Sequence, residues 1–415
     1  MAAPTRRMAR HCARQSAARK PRSCRPARTP RGPDRGGAAR ASRRPRGCAR
    51  LQFGARNLQG DRSRCRGPPR RHGAELRSAR SGGGVSSPFA SAATTPRRAR
   101  VLATMEHAQN ALVGGFTTLE ARVAQERSTA ATEFREHRWT RPQGGGGRAR
   151  MLERGQVWER AGVNVSAVTG DQTPPSLAEH HEGSAGRAWF ATGVSLVLHP
   201  VNPFVPAFHA NFRYFEIAGD EPSEPYVWWF GGGADLTPAY PEADDVRAFH
   251  HALAAWCDRH PQADYAGWKA TCDDYFTVRH RQEMRGVGGV FFDELTSPGD
   301  PARSFEADLA CIEDGIGTLL PAYLPLVERH YDDPYGPAER AWQLLRRGRY
   351  AEFNLAYDRG TRFGLQTGGN IEAILMSMPP HASWAFDVQP EPGSREEAAL
   401  AFFQPIDWSL PPSHP

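Results

Sequence analysis

The clearest pattern in this chain is an alternation of apolar and polar side chains on both sides of a proline-rich loop. Residues 195–199 alternate before the loop, which carries prolines at positions 200, 203 and 206. After the loop, aromatic or small side chains alternate with polar ones: His209, Asn211 and Arg213. Because a strand places every second side chain on one face and proline cannot join a central ladder, we predict a β-hairpin. Such alternation is equally typical of an ordinary half-exposed strand, so the pattern alone assigns no function.

Blocks of helical and strand-like periodicity follow one another along the rest of the chain. Apolar residues recur at helical spacing in five segments: 106–138, 242–259, 264–285, 301–330 and 339–348. Strands are predicted over 226–234 and 287–294, with an edge strand over 151–169 and a second hairpin over 349–367. The glycine-rich run 143–150 is predicted to be a flexible basic loop. Hairpins separated by helices favour an α+β fold in which helices cover one antiparallel sheet.

Charge divides the chain into two parts. Residues 1–104 hold 27 of the 53 Lys and Arg residues and three of the 45 Asp and Glu residues, a net charge of +24. The remaining residues hold 26 basic and 42 acidic residues, a net charge of −16. The first segment has almost no hydrophobic periodicity, so we predict a disordered tail over 1–104 and a single domain over 105–415. The acidic domain argues against a nucleic-acid partner.

Three interpretations of the tail compete. Its Arg-rich, acid-poor composition is typical of an organelle transit peptide, and also of a nucleic-acid-binding arm. We favour a third interpretation, in which Met105 is the true start of the protein. The sequence offers no secretory signal and no membrane-spanning run, and its seven cysteines form no CxxC pair. We therefore predict a cytoplasmic protein, or an organelle protein if the transit peptide is real.

Candidate chemistry concentrates near the predicted strands. The run Gly231-Gly-Gly233 lets the backbone approach a ligand closely, and Asp235 follows just past the end of that strand. Four histidines are candidate metal ligands: His199, His209, His250 and His280. Their spacing matches no zinc motif, and a lone histidine on an apolar helix stripe is more often a core residue. No flavin, haem or nicotinamide motif occurs, and no nucleophile elbow surrounds Ser195, so the residues alone leave a metal-dependent oxygenase or hydrolase open.

Short motifs in a fixed order along the acidic domain narrow this choice. They include Ser195-x-x-x-His-Pro200, Asn202-Pro-Phe-Val-Pro206, His209-Ala-Asn-Phe-Arg-Tyr-Phe215, Trp228-Trp-Phe-Gly-Gly-Gly233, Asp235-Leu-Thr-Pro238, Cys272-Asp-Asp-Tyr-Phe276, Tyr357-Asp-Arg-Gly-Thr361 and Ile374-Leu-Met-Ser-Met-Pro-Pro380. With these motifs the chain resembles the oxygen-dependent coproporphyrinogen-III oxidases from about residue 107 to about residue 409. The tail has no counterpart in that family.

The resemblance implies a fold, a reaction and an assembly. The fold is a large, flat antiparallel sheet with helices on both faces, and the protein is a homodimer joined through about residues 350–385. The family converts two propionates of coproporphyrinogen III to vinyl groups, giving protoporphyrinogen IX. Molecular oxygen is the electron acceptor, and CO2 and H2O2 are released. The family needs no organic cofactor, and a divalent metal ion held by the four histidines has been proposed for it.

The resemblance also implies roles for individual residues. Substrate-binding positions match Ser195, Asn211, Phe212, Arg213, Arg285, Gly368, Gly369 and Asn370, although many bacterial members have Arg in place of Asn370. Catalytic positions match His209, the proposed proton donor, and Arg213, Asp235, Asp358 and Arg359. On this basis we expect Asp235 to hold the pyrrole N–H groups, His209 to transfer a proton to the reduced oxygen and Arg213 to orient the departing propionate.

Overall fold

The computed structural model describes residues 89, 91–221, 224–296, 304–366 and 369–408. The strands are β1 (Arg135–Thr140), β2 (Gly145–Glu153), β3 (Trp158–Gly170), β4 (Trp189–Pro200), β5 (Ala207–Ala218), β6 (Pro225–Thr237), β7 (Thr277–Val278), β8 (Glu283–Met284) and β9 (Gly288–Leu295). The helices are α1 (Pro96–Glu126), α2 (Pro175–Ala178), α3 (Ala243–Asp258), α4 (Tyr265–Tyr275), α5 (Phe305–His330), α6 (Pro337–Ala356), α7 (Arg359–Gln366), α8 (Ile371–Leu375) and α9 (Arg395–Leu400).

The main sheet has seven strands in the order β1–β2–β3–β4–β5–β6–β9, and each neighbouring pair is antiparallel. One face of this sheet forms the core. Phe208 of β5 stacks on Tyr323 of α5 at 4.6 Å between ring centroids, and Phe212 meets Trp256 of α3 edge-on at 5.8 Å. Helix α1 covers the same face further along, where the buried Gln109 donates to the carbonyl of Val163 at 2.8 Å.

Helices also cover part of the opposite face. Phe291 of β9 packs there against Phe276, at the end of α4, and Phe353 of α6 belongs to the same buried cluster. The α+β class, the antiparallel sheet and the helices on both faces are therefore confirmed. In the part of the chain that the structure describes, none of the helices combines the length and apolarity needed to cross a membrane.

The predicted boundary between the tail and the domain is wrong. Helix α1 begins at Pro96, with the Thr95 hydroxyl accepting from the backbone N–H of Arg98 at 3.3 Å. Val101 and Leu102, assigned to the disordered tail, are buried in the core. Helix α1 therefore runs across residue 105 without a break. The rest of the predicted tail, residues 1–88 and 90, lies outside the described residues.

This boundary has a measurable consequence for a chain that starts at Met105. Such a chain lacks the buried side chains Phe89, Val101 and Leu102, and it leaves the buried Glu216 without its Arg98 partner. Each lost apolar side chain removes about 1.5–3 kcal/mol of burial. We therefore expect its free energy of unfolding, measured with urea, to fall by several kcal/mol relative to a chain that starts at residue 89. Equal stability of the two chains would contradict this.

Three predictions before the hairpin are also wrong. Helix α1 ends at Glu126, because Ser128 has a left-handed φ of 54°, and β1 rather than β3 is the edge strand. The run predicted as a flexible loop is β2, where Gly147 leaves room for the indole of Trp139 directly opposite. Consecutive glycines do not make this segment a flexible loop, because their absent side chains let neighbouring groups pack over the strand.

Three predictions after the hairpin need correction. Asp235 lies within β6, which continues to Thr237, rather than past its end. The second predicted helix, over 264–285, ends as α4 at Tyr275. The predicted hairpin over 349–367 is helical, because α6 extends to Ala356 and α7 follows. The buried positions in this segment, Tyr350 and Phe353, are three residues apart, which is helical rather than strand spacing.

Candidate active site

The polar side chains of the central hairpin lie on the face of the sheet opposite the core. Directly opposite partners across antiparallel strands share a face, and here Asn164, Ser195, Asn211 and Gly233 are successive partners on β3, β4, β5 and β6. We call this surface the open face. Ser195 and Asn211, both predicted to bind substrate, are therefore neighbours on it, and both are partly exposed. Asn164 joins them, although its sequence context predicts no role for it.

Glycine makes room for a cation in the next row of the open face. Arg213 lies between Gly193 and Gly231, its partners on β4 and β6. A Cβ atom at Gly231 would come within 2.9 Å of Arg213 Nε and 2.8 Å of an Asp293 oxygen. Arg213 pairs with Asp293 at 2.9 Å, and both side chains are more than a third exposed. The guanidinium is thus held loosely at the surface, where a carboxylate ligand can compete for it.

A chain of hydrogen bonds runs from the open face into the protein. His209 Nδ1 lies 2.8 Å from Asp235 Oδ1, and Arg285 donates to Asp235 Oδ2 at 2.7 Å. Arg285 also donates to the side-chain oxygen of Asn354 at 2.8 Å. We call these four residues the buried relay. His209 is its exposed end, with a side-chain exposure of 19%, whereas the side chain of Asp235 is 2% exposed.

Charge and burial act in opposite directions on Asp235. Burial alone would raise the pKa of this carboxyl, but the Arg285 cation and the hydrogen bond from His209 hold the pKa below its ordinary value. The Arg285 guanidinium stands over the rings of Phe276 at 4.1 Å and Tyr350 at 4.6 Å. Burial would lower the pKa of Arg285, but the Asp235 carboxylate raises it. Both members of the pair are therefore ionised at neutral pH.

The relay fixes the tautomer of the neutral His209 ring. An ionised carboxylate only accepts hydrogen bonds, so His209 Nδ1 carries the hydrogen that is shared with Asp235. In the neutral ring, Nε2 then carries a lone pair. None of the described residues forms a hydrogen bond with Nε2. This arrangement lets His209 accept and return a proton at the open face. Each oxygen of Asp235 already accepts one hydrogen bond from the relay, and the contact of Asp235 with the pyrrole N–H groups stays a prediction.

Asn354 of the relay was missed by the sequence analysis. Its segment was interpreted as a strand, which gave the side chain the wrong direction. Helical spacing from Tyr350 and Phe353 was the signal that could have placed it on the same side as those rings.

Phe212 is a further correction. It was predicted to bind substrate, but it is 1% exposed and packs against Trp256 and Phe292 in the core. As the neighbour of Asn211 and Arg213 along one strand, it points to the other face.

The remaining predicted residues lie in the segment around α7 and α8. Asp358 caps α7, accepting from the backbone N–H of Thr361 at 2.6 Å, and it also accepts from the Tyr275 hydroxyl at 3.0 Å. The Arg359 guanidinium stands over the Tyr275 ring at 4.9 Å. Asn370 caps α8 through a 2.8 Å bond from Ala373, and Gly369 precedes it. Gly368 lies outside the described residues.

The four histidines do not assemble a metal site. Among the described residues, no group of three or more His, Cys, Asp or Glu side chains is placed to hold a metal ion. His250 is buried, with Nδ1 on the Tyr265 hydroxyl at 2.8 Å and Nε2 on the Val287 carbonyl at 3.1 Å. His280 contacts Tyr357 and Glu352 instead. His199 bonds the Ser377 carbonyl at 2.9 Å, and burial together with the Arg347 cation lowers the pKa of His199 to about 3.

An aromatic stack borders the open face beyond Arg213. Phe215 of β5 lies between Trp189 at 5.4 Å and Trp229 at 4.7 Å, and His181 stacks on Trp229 at 4.8 Å. The alternation in β5 contained a signal for this stack, because Phe215 is aromatic on the face where the preceding residues are polar. The open face therefore combines close backbone, a few polar groups, a cation and an apolar wall, which suits a large ligand that carries carboxylates.

Comparison with protein families agrees with this site. The family model described as coproporphyrinogen III oxidase matches residues 100–408, which include the open face, the buried relay and the segment around α7 and α8. The family consists of oxidoreductases of haem biosynthesis that act at the decarboxylation of coproporphyrinogen III. Because the match spans most of the sequence, the chain belongs to the coproporphyrinogen III oxidase family.

Proposed function

We propose that the protein uses O2 to convert the propionates on rings A and B of coproporphyrinogen III to vinyl groups, giving protoporphyrinogen IX. At each propionate the carboxylate leaves as CO2 and a hydrogen leaves the carbon next to the pyrrole with its electron pair. These two electrons reduce O2, which gains one further proton and leaves as H2O2. The observation that carries the proposal is the buried relay, which holds the His209 imidazole in one orientation at the open face.

The open face supplies the binding groups that this substrate needs. A propionate can displace Asp293 from the Arg213 guanidinium, which offers a carboxylate a two-pronged hydrogen bond. Ser195 and Asn211 present polar groups beside it, and Gly233 allows the macrocycle to approach the backbone. Arg359 lies in the neighbouring segment and is proposed to bind a second propionate. The stack around Phe215 packs against the hydrocarbon part of the tetrapyrrole.

His209 is proposed to move the protons. Its Nε2 takes the pyrrole N–H proton as the hydride leaves the substrate carbon for O2, and it then gives that proton to the reduced oxygen. Loss of CO2 returns an electron pair to the pyrrole nitrogen, which takes up a proton from the solvent. Asp235 keeps Nδ1 protonated and stabilises the imidazolium that forms, and Arg285 keeps Asp235 ionised. Asn354 holds Arg285 in place through its side-chain oxygen.

No step of this proposal passes through a metal or an organic cofactor. The described histidines have separate protein partners and do not fit a shared metal ion. The reduced porphyrinogen is electron-rich and gives its electrons to O2 directly in this scheme.

One experiment tests the reaction. The full chain is mixed anaerobically with coproporphyrinogen III, with or without EDTA, and O2 is then admitted. We expect protoporphyrinogen IX only after O2 is admitted, at equal rates in both arms, with CO2 and H2O2 released in equal amounts. Loss of activity in EDTA that returns on adding a divalent cation would favour a metal-dependent oxygenase instead. Absence of product in both arms would remove the proposed function.

We also propose a homodimer formed through about residues 350–385. Six of the eight large apolar side chains that stand exposed in the described structure fall in or just beyond this range: Leu355, Leu365, Ile371, Trp384, Phe386 and Val388. An exposed apolar surface of this kind is typical of a site that a partner covers.

The dimer predicts the effect of a charge in this surface. Ile371 is 58% exposed at the start of α8, so Ile371→Asp leaves the folded chain intact. We expect it to weaken self-association about tenfold or more, measured by sedimentation, because a buried carboxylate would face the partner. Tyr335→Asp, at an exposed aromatic outside the segment, is the control and should leave association unchanged. Identical behaviour of both variants would place the dimer elsewhere.

The proposed compartment is the cytoplasm. The three cysteines within the described residues, Cys257, Cys272 and Cys311, are free thiols. This supports a reducing environment, which the cytoplasm provides.

A further inference from the structure

A small cavity lies beneath α6, behind the buried relay. Its volume is about 20 Å³, and about 10–15 Å³ is enough for one water molecule. His199, Thr237, Arg346 and Tyr350 line it together with the ends of β4, β5 and β6. All four of these side chains are more than nine-tenths buried. The Tyr350 ring also packs against Arg285, so the cavity borders the relay without belonging to it.

Several polar atoms around this cavity have no hydrogen-bond partner among the described residues. They are His199 Nδ1, Thr237 Oγ1, Tyr350 Oη, and Nε and Nη2 of Arg346. A buried polar atom left without a hydrogen bond costs about 1–3 kcal/mol, so four such side chains around one cavity indicate a bound ligand rather than coincidence. The ligand must be small and must satisfy both hydrogen-bond donors and an acceptor.

A cation does not fit this cavity. The described residues that line it include two guanidinium groups, Arg346 and Arg347, and no carboxylate. These charges repel a metal ion, and a divalent metal normally needs several ligands such as imidazole or carboxylate. Among the described residues of the lining, His199 is the only imidazole. The histidine that the family resemblance assigned to a metal therefore faces an environment that rejects one.

The hydrogen bond made by His199 Nε2 decides whether the cavity suits a water molecule or an anion. A carbonyl only accepts, so His199 Nε2 donates to the Ser377 carbonyl at 2.9 Å and Nδ1 of the neutral ring is a lone pair. A halide would repel that lone pair. A water molecule can donate to it and accept from Arg346 or from the Thr237 hydroxyl.

We propose that this cavity binds one water molecule with His199 Nδ1 as its acceptor, and that His199 is therefore not a ligand for a cation. The water joins β4 and the end of β6 to α6, the helix that carries Tyr350 and Asn354 against Arg285. His199 thereby positions the wall of the active site from behind. This inference does not depend on the proposed reaction.

Crystals of the full chain grown in bromide, and others grown with Mn²⁺, test the identity of the ligand. We expect a single water-sized peak within about 2.7–3.2 Å of His199 Nδ1 and of Arg346 or Thr237. It should show no anomalous signal in either crystal. An anomalous bromide peak, an anomalous manganese peak, or a cavity without density would each overturn the proposal.

Two variants test the same point in solution. His199→Gln keeps a hydrogen-bond acceptor in the cavity, whereas His199→Leu removes it and leaves the water without its acceptor. We expect the melting temperature of the Leu variant to fall clearly below that of the Gln variant. Mn²⁺ should not raise the melting temperature of the wild type or of either variant by binding at this site. Equal melting temperatures for the two variants would overturn the proposal, as would a rise with Mn²⁺ that wild type shows and both variants lose.

Discussion

Replacement of Asp235 by asparagine should reduce the turnover of coproporphyrinogen III by about a thousandfold or more, the scale on which a His–Asp pair depends on its carboxylate. An asparagine amide can donate to His209 Nδ1. This would move the ring hydrogen to Nε2, where the proton must be accepted. Since the wild-type pair is 2.8 Å apart and buried at Asp235, little else in the site needs to change. We expect the loss in kcat, with a smaller change in KM.

The same variant should also be less stable, because Arg285 loses its counter-charge in a buried site. We expect a loss of about 3 kcal/mol in the free energy of unfolding. Asp314→Asn is the matched control, since Asp314 forms another His–Asp contact of 2.8 Å, with His260, between helices on the core face. That variant should retain wild-type turnover. Near-normal turnover of folded Asp235→Asn protein would remove the relay from the mechanism.

Strict local alternation made the central part of this fold predictable from sequence. The hairpin of β4 and β5 has one buried face, so its period of two appears directly in the residues, and proline marks the loop between the strands. The same pattern placed His209, Asn211 and Arg213 on one face, which the structure confirms. The family could be predicted from the order of the motifs, because many short matches in a fixed order are more specific than any single match.

Contacts between distant segments could not be predicted in this way. The partnership of Arg285 with Asp235 and Asn354 joins residues 50 and 69 positions apart, and no periodicity encodes it. The four histidines were grouped by residue type, whereas burial and the charges around each one decide what it binds. The segment after Arg349 was assigned the wrong period because short apolar runs fit a strand and a helix equally well.

Replacement of Arg285 by methionine should reverse the pH dependence that Asp235 contributes to stability. In the wild type the pKa of Asp235 in the folded state lies below its ordinary value, so this carboxylate stabilises the fold above about pH 4. That contribution is lost only as the pH falls through the lowered pKa. Without Arg285, burial is the dominant influence and raises the pKa of Asp235. The folded variant then holds a proton that the unfolded chain has released, and its stability falls as pH rises through that window.

The expected result for Arg285→Met is therefore a free energy of unfolding about 3–5 kcal/mol below wild type at pH 7, with a smaller deficit at pH 5. Urea unfolding at both pH values measures it. Arg346→Met is the control, because its partner Glu283 keeps a second cation, Arg349, and no such reversal should appear. The double variant Arg285→Met with Asp235→Asn should lose less free energy of unfolding than the sum of the two single losses, because neither buried charge is then left without its partner. A deficit that is equal at both pH values would show that Arg285 stabilises the fold only by packing against the rings of Phe276, Tyr350 and Phe353.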